Sequence, residues 1–552
     1  MIKDTITHFH FCCGLGAGAK GFNMANPRVG NVEARFECLG GIDVAPAAIR
    51  DFKTLTGTDG TVMDLFTRDQ YTRFHGVEPP KEWKEATPAD VRAAAQNRTP
   101  NVVFISSPCK GASGLLSQKK AVTPKYQALN ELTLRCVWLM VEAWKDDPVD
   151  LIVFENVPRL ASRGRHLLDQ INQVLSHAGY AVAETTHDCG EIGGLAQSRK
   201  RFLLVARHIE KVPPFLYQPA MKGLQSVGSV LERMPLPGDE TAGPMHRVPR
   251  LQWKTWVRLA FVEAGKDWRS LERLAIENGH LRDFLIMPDH RNGYMGVNDW
   301  SEPMGTVAGK SKPGNGAFSV ADPRPTKMGN YGAYGIIPWD KSSGVVTSQS
   351  AVGGGRFAVA DPRGNGFASK YSVTAFDRAA GTVIAGSTTG QGAFAVADPR
   401  PNMNRKKGDS YYGGGHYGVL PWDGFSGAVS AAACHDNGRW SVADPRLPKA
   451  TDKCHAVIES LDGTWHRPFT TLELAALQSL IEPEEYLELD GLNDEAWRER
   501  IGNAVPPSAS RAIAEVMGTT ILLARQGETF LLDNAPIWVK PMAAALSVGG
   551  VQ

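Results

Sequence analysis

The chain reads as an α/β protein in which an open, mostly parallel sheet covered by helices is interrupted by a large β-rich insertion built from repeats. Three observations predict this. The first two hundred residues alternate short β-branched and aromatic runs with longer helical stretches. A Gly-rich segment that repeats itself follows from about residue 290 to 446. Helical periodicity returns only near the end of the chain.

Each element can be justified in order. Residues 7–13, 36–43, 101–107, 150–156 and 201–208 are short, nearly continuous apolar or β-branched runs, the pattern of strands buried on both faces. Residues 127–144 form an intervening helix, and 471–480 and 507–526 read as a short and a long helix. The strand at 201–208 is expected to run antiparallel and so to start at the rim where the others end.

The repeats are four. They close in FSVADPR (318–324), FAVADPR (357–363), FAVADPR (394–400) and WSVADPR (440–446), each preceded by a variant of an aromatic-Asp pair and a Gly-Thr/Val-Val run. The repeated Asp322, Asp361, Asp398 and Asp444 are separated by 39, 37 and 46 residues, so a unit of roughly forty residues with two or three strands is expected. Asp-Pro-Arg can close a turn, the carboxylate accepting from nearby backbone and pairing with the Arg. The same residues could instead touch a ligand.

Composition bounds the function. With 552 residues, 42% hydrophobic and 21% charged, the chain can bury at least one large core and divide into domains. Sixty Lys plus Arg against fifty-eight Asp plus Glu leave a net charge of +2, so a polyanionic partner must be met by local patches. No apolar run approaches the ~18 residues of a membrane span, and the start MIKDTITHFHF lacks the layout of a signal peptide. A cytoplasmic protein without membrane contact is expected. Eight Cys, none in a C-x-x-C pair, argue against a disulfide scaffold and a zinc ribbon, and no metal is expected.

Chemistry gathers at the strand ends. The first strand runs into Gly14-Leu-Gly16-Ala-Gly18-Ala-Lys-Gly21, where missing side chains let backbone approach a ligand. Asp43 ends the second strand and Asp64 a short third one. The next two strands lead into Pro108-Cys109 and Glu155-Asn156-Val157. In an open parallel sheet the carboxyl ends share one rim, so Cys109 and Glu155 should face one crevice beside the glycine loop. A thiol beside a carboxyl group suits covalent attack on an electron-poor ring together with proton donation to it. An unperturbed thiol is only about 3% ionised at pH 7, so the site must assist.

These residues resemble the DNA (cytosine-5) methyltransferase family. Its pattern is met in order by Gly14 to Gly18, Pro108-Cys109, Glu155-Asn156-Val157, Gln197-Ser-Arg199-Lys-Arg201 and Gly502-Asn503-Ala-Val505. The segment from Arg467 to Gln478 also matches. The resemblance covers roughly residues 5–208 and 464–525. It implies a Rossmann-like S-adenosylmethionine-dependent methyltransferase sheet with the repeat-containing insertion as target-recognition region. Residues 1–208 and 464–526 would form the catalytic domain, 209–463 the insertion and 527–552 a tail.

The roles it implies are specific. Cys109 would add to C6 of a flipped cytosine, and Glu155 would bond N3 and the exocyclic amine and supply a proton. Asn156 would fix the catalytic loop, and Arg199 and Arg201 would steady the base and a phosphate. Gly14, Gly16 and Gly18 would approach the methionine part of S-adenosylmethionine, Asp43 its ribose, Asp64 its adenine amine and Asn503 its methionine end. Three positions depart from the family pattern: Cys12 replaces an aromatic, Gly41 an acid and Lys110 a Gln. Unmodified S-adenosylmethionine is the simplest cofactor.

The implied partner is double-stranded DNA, bound by a monomer in a bacterial or phage-infected cell, in a restriction-modification or phage context. Lys119, Lys120, Lys125, Arg159, Arg163 and Arg165 follow the two catalytic motifs and could meet phosphates, and equally could be solvated. The stretch Asn404-Arg-Lys-Lys407, Tyr411, Tyr412 and His416 could enter a groove or form an exposed loop. Two alternatives stand: a cytosine-5 methyltransferase acting on tRNA, and a catalytically retired DNA-binding protein.

Overall fold

The computed structural model describes residues 1–108, 123–249, 251, 253–266, 270 and 416–529 except 430–432, 449–457, 459, 461–462 and 492. It also describes 534–539 and short strands between 276 and 397. Two compact units are present, Met1–Arg291 with Tyr411–Gln552, and Asn292–Ser410.

The larger unit is built on an eight-stranded sheet. Its main strands are β1 (Ile2–Phe11), β2 (Val32–Asp43), β3 (Val102–Ile105), β4 (Leu151–Asn156), β5 (Tyr180–Asp188) and β6 (Lys200–His208), in the spatial order β2-β1-β3-β4-β6-β5. β1 pairs in parallel with β2 and β3, and β3 with β4. β6 runs antiparallel to both β4 and β5, as expected for β6. Two short strands complete the β2 side, Arg28–Val29 antiparallel to it and Thr61–Val62 parallel to its end.

Side-chain alternation divides the core between the two faces. On β4 and β6, Ile152, Phe154, Phe202 and Leu204 join one cluster with Leu132, Leu139 and Ile171, from the helices Pro124–Ala143 and Arg165–His177. Leu151, Val153, Leu203 and Val205 join another with Phe22, Ile513 and Met517. The last three come from α1 (Ala17–Asn23) and from α2, the C-terminal helix Pro507–Gln526. Residues almost five hundred positions apart are thus packed on one sheet face. A Cβ at Gly21 would lie 2.2 Å from the Pro507 carbonyl, so only glycine permits this approach.

Each repeat contributes a pair of parallel strands. In the smaller unit Val297–Asn298 pairs with Ser319–Val320, Ile336–Pro338 with Ala358–Ala360, and Val373–Ala375 with Ala395–Ala397. The fourth copy belongs to the larger unit: Val419–Leu420 pairs in parallel with Ser441–Asp444, which also pairs antiparallel with Trp465–Pro468. There Asp444 accepts from the Arg446 backbone N–H at 2.9 Å and from its guanidinium at 3.0 Å, so this Asp-Pro-Arg closes a turn.

Candidate active site

The carboxyl end of the parallel strands gathers most of the expected residues. Beyond β1 the chain turns sharply, with positive φ at Cys12, Gly14 and Gly16. Gly16 ends the turn at the start of α1, where a Cβ would meet the Phe52 ring at 2.8 Å. Asp43, half-buried at the end of β2, accepts from the Gly14 N–H at 2.9 Å and from the Ala45 N–H at 2.9 Å. Burial pushes its carboxyl up from the usual range, against these backbone donors. Its first task is therefore to brace the glycine loop. Asp64 accepts from the Phe66 N–H and from the Trp83 indole, each at 3.0 Å.

The departures from the family pattern have local causes. Any Cβ at Gly41 would stand 2.8 Å from that of Cys13, whose side chain fills the space. Cys12 turns its sulfur towards Cys136, 3.9 Å away, at the edge of the core. Lys110 lies outside the described residues.

Glu155 is the centre of the site. It is 5% exposed, and its Oε1 lies 2.7 Å from Arg201 Nε. The N–H is not aligned for a hydrogen bond with that oxygen, so the contact is a charge pair. The other oxygen accepts from Ser106 Oγ at 3.2 Å, and the Ser106 N–H donates to the Phe11 carbonyl. Ser106 thereby joins the ends of β1 and β4; only its position after an apolar strand could have signalled it.

Asn156 holds the backbone that leads to Cys109. Its Nδ2 donates to the Ser107 carbonyl at 3.2 Å, while its Oδ1 accepts from the Val157 N–H. The Ser107 hydroxyl is paired with that of Thr133 at 2.6 Å. Cys109 itself lies outside the described residues, with Lys119 and Lys120. Three residues beyond Ser106, its Cα is within about 11 Å of that serine's Cα by chain length alone.

The two arginines of Gln-x-Arg-x-Arg part company. Arg199 is 1% exposed; it donates to the Val429 carbonyl and Gln478 Oε1 at 3.1 Å and to the Gly502 carbonyl at 3.0 Å. Burial, with Arg201 nearby, pushes its guanidinium below the usual arginine range. Arg199 thus ties the sheet to the fourth repeat, to the segment ending in Gln478 and to the helix Asp494–Asn503. Its hydrogen bonds go to these groups, and Arg201 is the one that meets Glu155. Asn503 ends that helix and is exposed.

Of the basic residues, Arg165 is spent on Glu184 and Asp169, and Lys125 lies over the Phe74 ring at 4.9 Å. Arg159 and Arg163 are exposed. Residues 404–415 are outside the described set, and His416 contacts the Asp436 carbonyl. Among the described residues no helix is long and apolar enough to cross a membrane.

The loop fits the implied cofactor. A Cβ at Gly14 would meet nothing within 4 Å, so backbone is open there, beside the Asp43 carboxylate that accepts from its N–H, and Asp64 stands past the short strand paired with the end of β2. Such acceptors suit sugar hydroxyls and an exocyclic amine.

Comparison with known proteins agrees with the motif reading. Residues 79–237 match the family described as C-5 cytosine-specific DNA methylase, a segment that holds Cys109, Glu155, Arg199 and Arg201. The resemblance to cytosine-5 methyltransferases is thus borne out. No curated protein matches the chain. Among solved structures, the Entamoeba histolytica methyltransferase EhMeth is similar at 10% identity and a TM-score of 0.43, over 93% of this chain and 98% of that one. The S. pombe Dnmt2 methyltransferase is similar at 11% and 0.38, over 94% and 98%. An E. coli methyltransferase encoded within prophage Cp is similar at 12% and 0.41, over 94% and 99%.

Proposed function

We propose that this protein methylates C5 of cytosine in specific sequences of double-stranded DNA. The single observation that carries the reading is the Glu155 carboxylate, buried on the strand rim, charge-paired with Arg201 and bonded to Ser106 three residues before Cys109. An acid kept in place there, within chain reach of a thiol, is what ring activation by covalent addition requires.

In this mechanism the Cys109 thiolate adds to C6 of an extrahelical cytosine, and Glu155 holds N3 and the exocyclic amine while protonating the ring. Electron density then collects at C5. S-adenosylmethionine, held by the Gly14–Gly18 backbone with Asp43, Asp64 and Asn503, supplies an electrophilic methyl group when bound. Loss of the C5 proton to a base lets Cys109 leave and restores the ring. Arg201 keeps the Glu155 carboxylate aimed, and Asn156 holds the Ser107 carbonyl, two residues before Cys109 in the chain. Arg199 acts at one remove, as a positioning residue for the elements around the site. Base flipping costs a few kcal/mol, which closure of protein groups around the cytosine must offset.

The test is incorporation of labelled methyl groups into duplex DNA and, side by side, into tRNA. The expected result is 5-methylcytosine in DNA, abolished by Cys109→Ser. Label in tRNA alone, or undiminished transfer by Cys109→Ser, rejects the proposal.

A further inference from the structure

One group of side chains takes no part in the reaction proposed above. Between the paired strands Val419–Leu420 and Ser441–Asp444 the chain makes a turn at Cys434-His435-Asp436-Asn437. The Asn437 N–H donates to the Cys434 carbonyl at 3.1 Å, and the Cys434 N–H donates to Asn437 Oδ1 at 3.0 Å. The turn is also held from outside. The Gly438 carbonyl accepts from the Gly418 N–H at 3.1 Å, and the His416 ring bonds the Asp436 carbonyl. Its backbone is therefore fixed by the protein's own hydrogen bonds.

Three different donors converge on this turn. Cys434 Sγ, a ring nitrogen of His435 and a carboxylate oxygen of Asp436 all lie within 4.8 Å of one another. Among the described residues no other group of Cys, His, Asp and Glu side chains gathers in this way. Cys434 Sγ stands 3.5 Å from His435 Nδ1. In a tetrahedral zinc site, bonds of about 2.3 Å to sulfur and about 2.0–2.1 Å to nitrogen put those two atoms about 3.5–3.6 Å apart. The thiol and the imidazole thus already have the spacing that one shared ion imposes.

The donor set also selects the class of ion. Sulfur with imidazole suits zinc and its transition-metal neighbours, whereas magnesium and calcium take oxygen donors. Cys434 and His435 are half-buried and Asp436 is exposed, so an ion would enter from the Asp436 side and keep a water in its fourth position. A thiolate and a carboxylate together offset a dication. Arg498, the cation that faces this thiol, is bonded to Thr471 Oγ1 at 3.2 Å. Three adjacent residues have none of the spacing of a zinc ribbon, so the Cys pattern of the sequence carries no sign of such a site.

We infer that Cys434, His435 and Asp436 form a zinc site that fastens the turn of the fourth repeat. The fastened turn lies five residues beyond Val429, whose carbonyl holds Arg199. The site is independent of the nucleic acid the protein acts on, and it departs from the expectation of a metal-free chain.

The experiment strips the full chain with a chelator and titrates in Co²⁺, followed by Zn²⁺. One Co²⁺ per chain is expected, with the near-ultraviolet charge-transfer band of a thiolate ligand, and one equivalent of Zn²⁺ should displace it. Cys434→Ser should abolish the band. His435→Ala and Asp436→Asn should each weaken Zn²⁺ binding by about tenfold or more. Cys109→Ser should leave band and stoichiometry as they are. Melting curves of the metal-free chains separate loss of the site from loss of the fold, and Zn²⁺ should raise the midpoint of the wild type but not that of Cys434→Ser. Cys434→Ala takes the place of the Ser variant if that chain melts early. Absence of a stoichiometric band, a band that survives removal of the Cys434 thiol, or one that vanishes with Cys109→Ser overturns the inference, and each leaves the proposed methyl transfer standing.

Discussion

Arg201 Nε lies 2.7 Å from Glu155 Oε1, across the junction of two antiparallel strands whose opposite ends meet at one rim. Because β6 is reversed, the start of that strand faces the end of β4, and a cation arrives where the acid is needed. Glu155→Gln is expected to lower kcat by ~10²–10⁴-fold. Arg201→Ala is expected to lower it by ~10²-fold. Single-turnover methyl transfer checks the pair, and melting curves are expected to show a lower midpoint for Arg201→Ala, which leaves the buried Glu155 carboxylate without its cation.

Arg199 should act on activity through stability. It is buried on three acceptors from separate parts of the chain, and truncation leaves those acceptors unpaired. Arg199→Ala is expected to cost ~1–3 kcal/mol of stability for each buried acceptor left unpaired. Urea unfolding measures this, and loss of activity without loss of stability would contradict the placement.

Asp444 and Glu473 both grip Arg467 at 2.7 Å, with all three side chains fully buried. Burial alone would raise both carboxyls, but Arg467, together with Arg446 at Asp444 and with His246 and the Thr470 N–H at Glu473, holds them below the usual range. Arg467→Met leaves Glu473 without its cation and Asp444 with Arg446 alone, and is expected to cost ~3–5 kcal/mol, seen as an earlier urea midpoint.

Two histidines under α1 set an acid limit. His8 Nδ1 is 2.8 Å from His10 Nε2, and burial pushes His8 down to about 4 and His10 well below the usual value. The unfolded chain takes up protons on these rings as pH falls through about 6.5, while in the folded chain His8 stays neutral down to about 4 and burial likewise holds His10 neutral below its usual range. Stability is therefore full above about pH 6.5 and is lost between there and pH 4, by ~3 kcal/mol for His8 alone. Urea titrations at pH 7.5, 6 and 5 check this, and His8→Gln with His10→Phe should flatten the dependence.

Gly21→Ala tests the closure of the C-terminal helix on α1. The added methyl would meet the Pro507 carbonyl at 2.2 Å and Ser510 Oγ at 2.1 Å, so one helix must move. The expected cost is ~1–3 kcal/mol, measured by melting, with weaker S-adenosylmethionine binding by calorimetry.

Much of the fold was legible because strands buried on both faces are written as continuous apolar runs. The observed bounds of β4 and β6 differ from the expected ones by a single residue at one end. β5 escaped notice: it is an edge strand, paired only with β6, and its sequence YAVAETTHD buries mainly its ends. Of the candidate site, the order of motifs and the rim shared by Glu155 and the glycine loop could be read from strand ends. Arg199 and Arg201, two apart, read as neighbours on one strand face. Yet Arg199 lies just before β6, with its N–H on Asp188 and its carbonyl taken by the Cys189 N–H, so alternation does not govern its side chain.

The alternating architecture, the ordered motifs with Cys109 and Glu155 and the four repeats are written into the order of residues. These are local properties, carried by the periodicity and residue types of short segments. Chain folding in three dimensions fixes that Arg201 pairs with Glu155, that Arg199 holds residues 429, 478 and 502 together, and that the fourth repeat sits against 196–199 while its Asp-Pro-Arg closes a turn. Those outcomes depend on contacts between segments hundreds of residues apart. The free energy of such contacts comes from desolvation and charge pairing at one place in space, which no window of sequence contains.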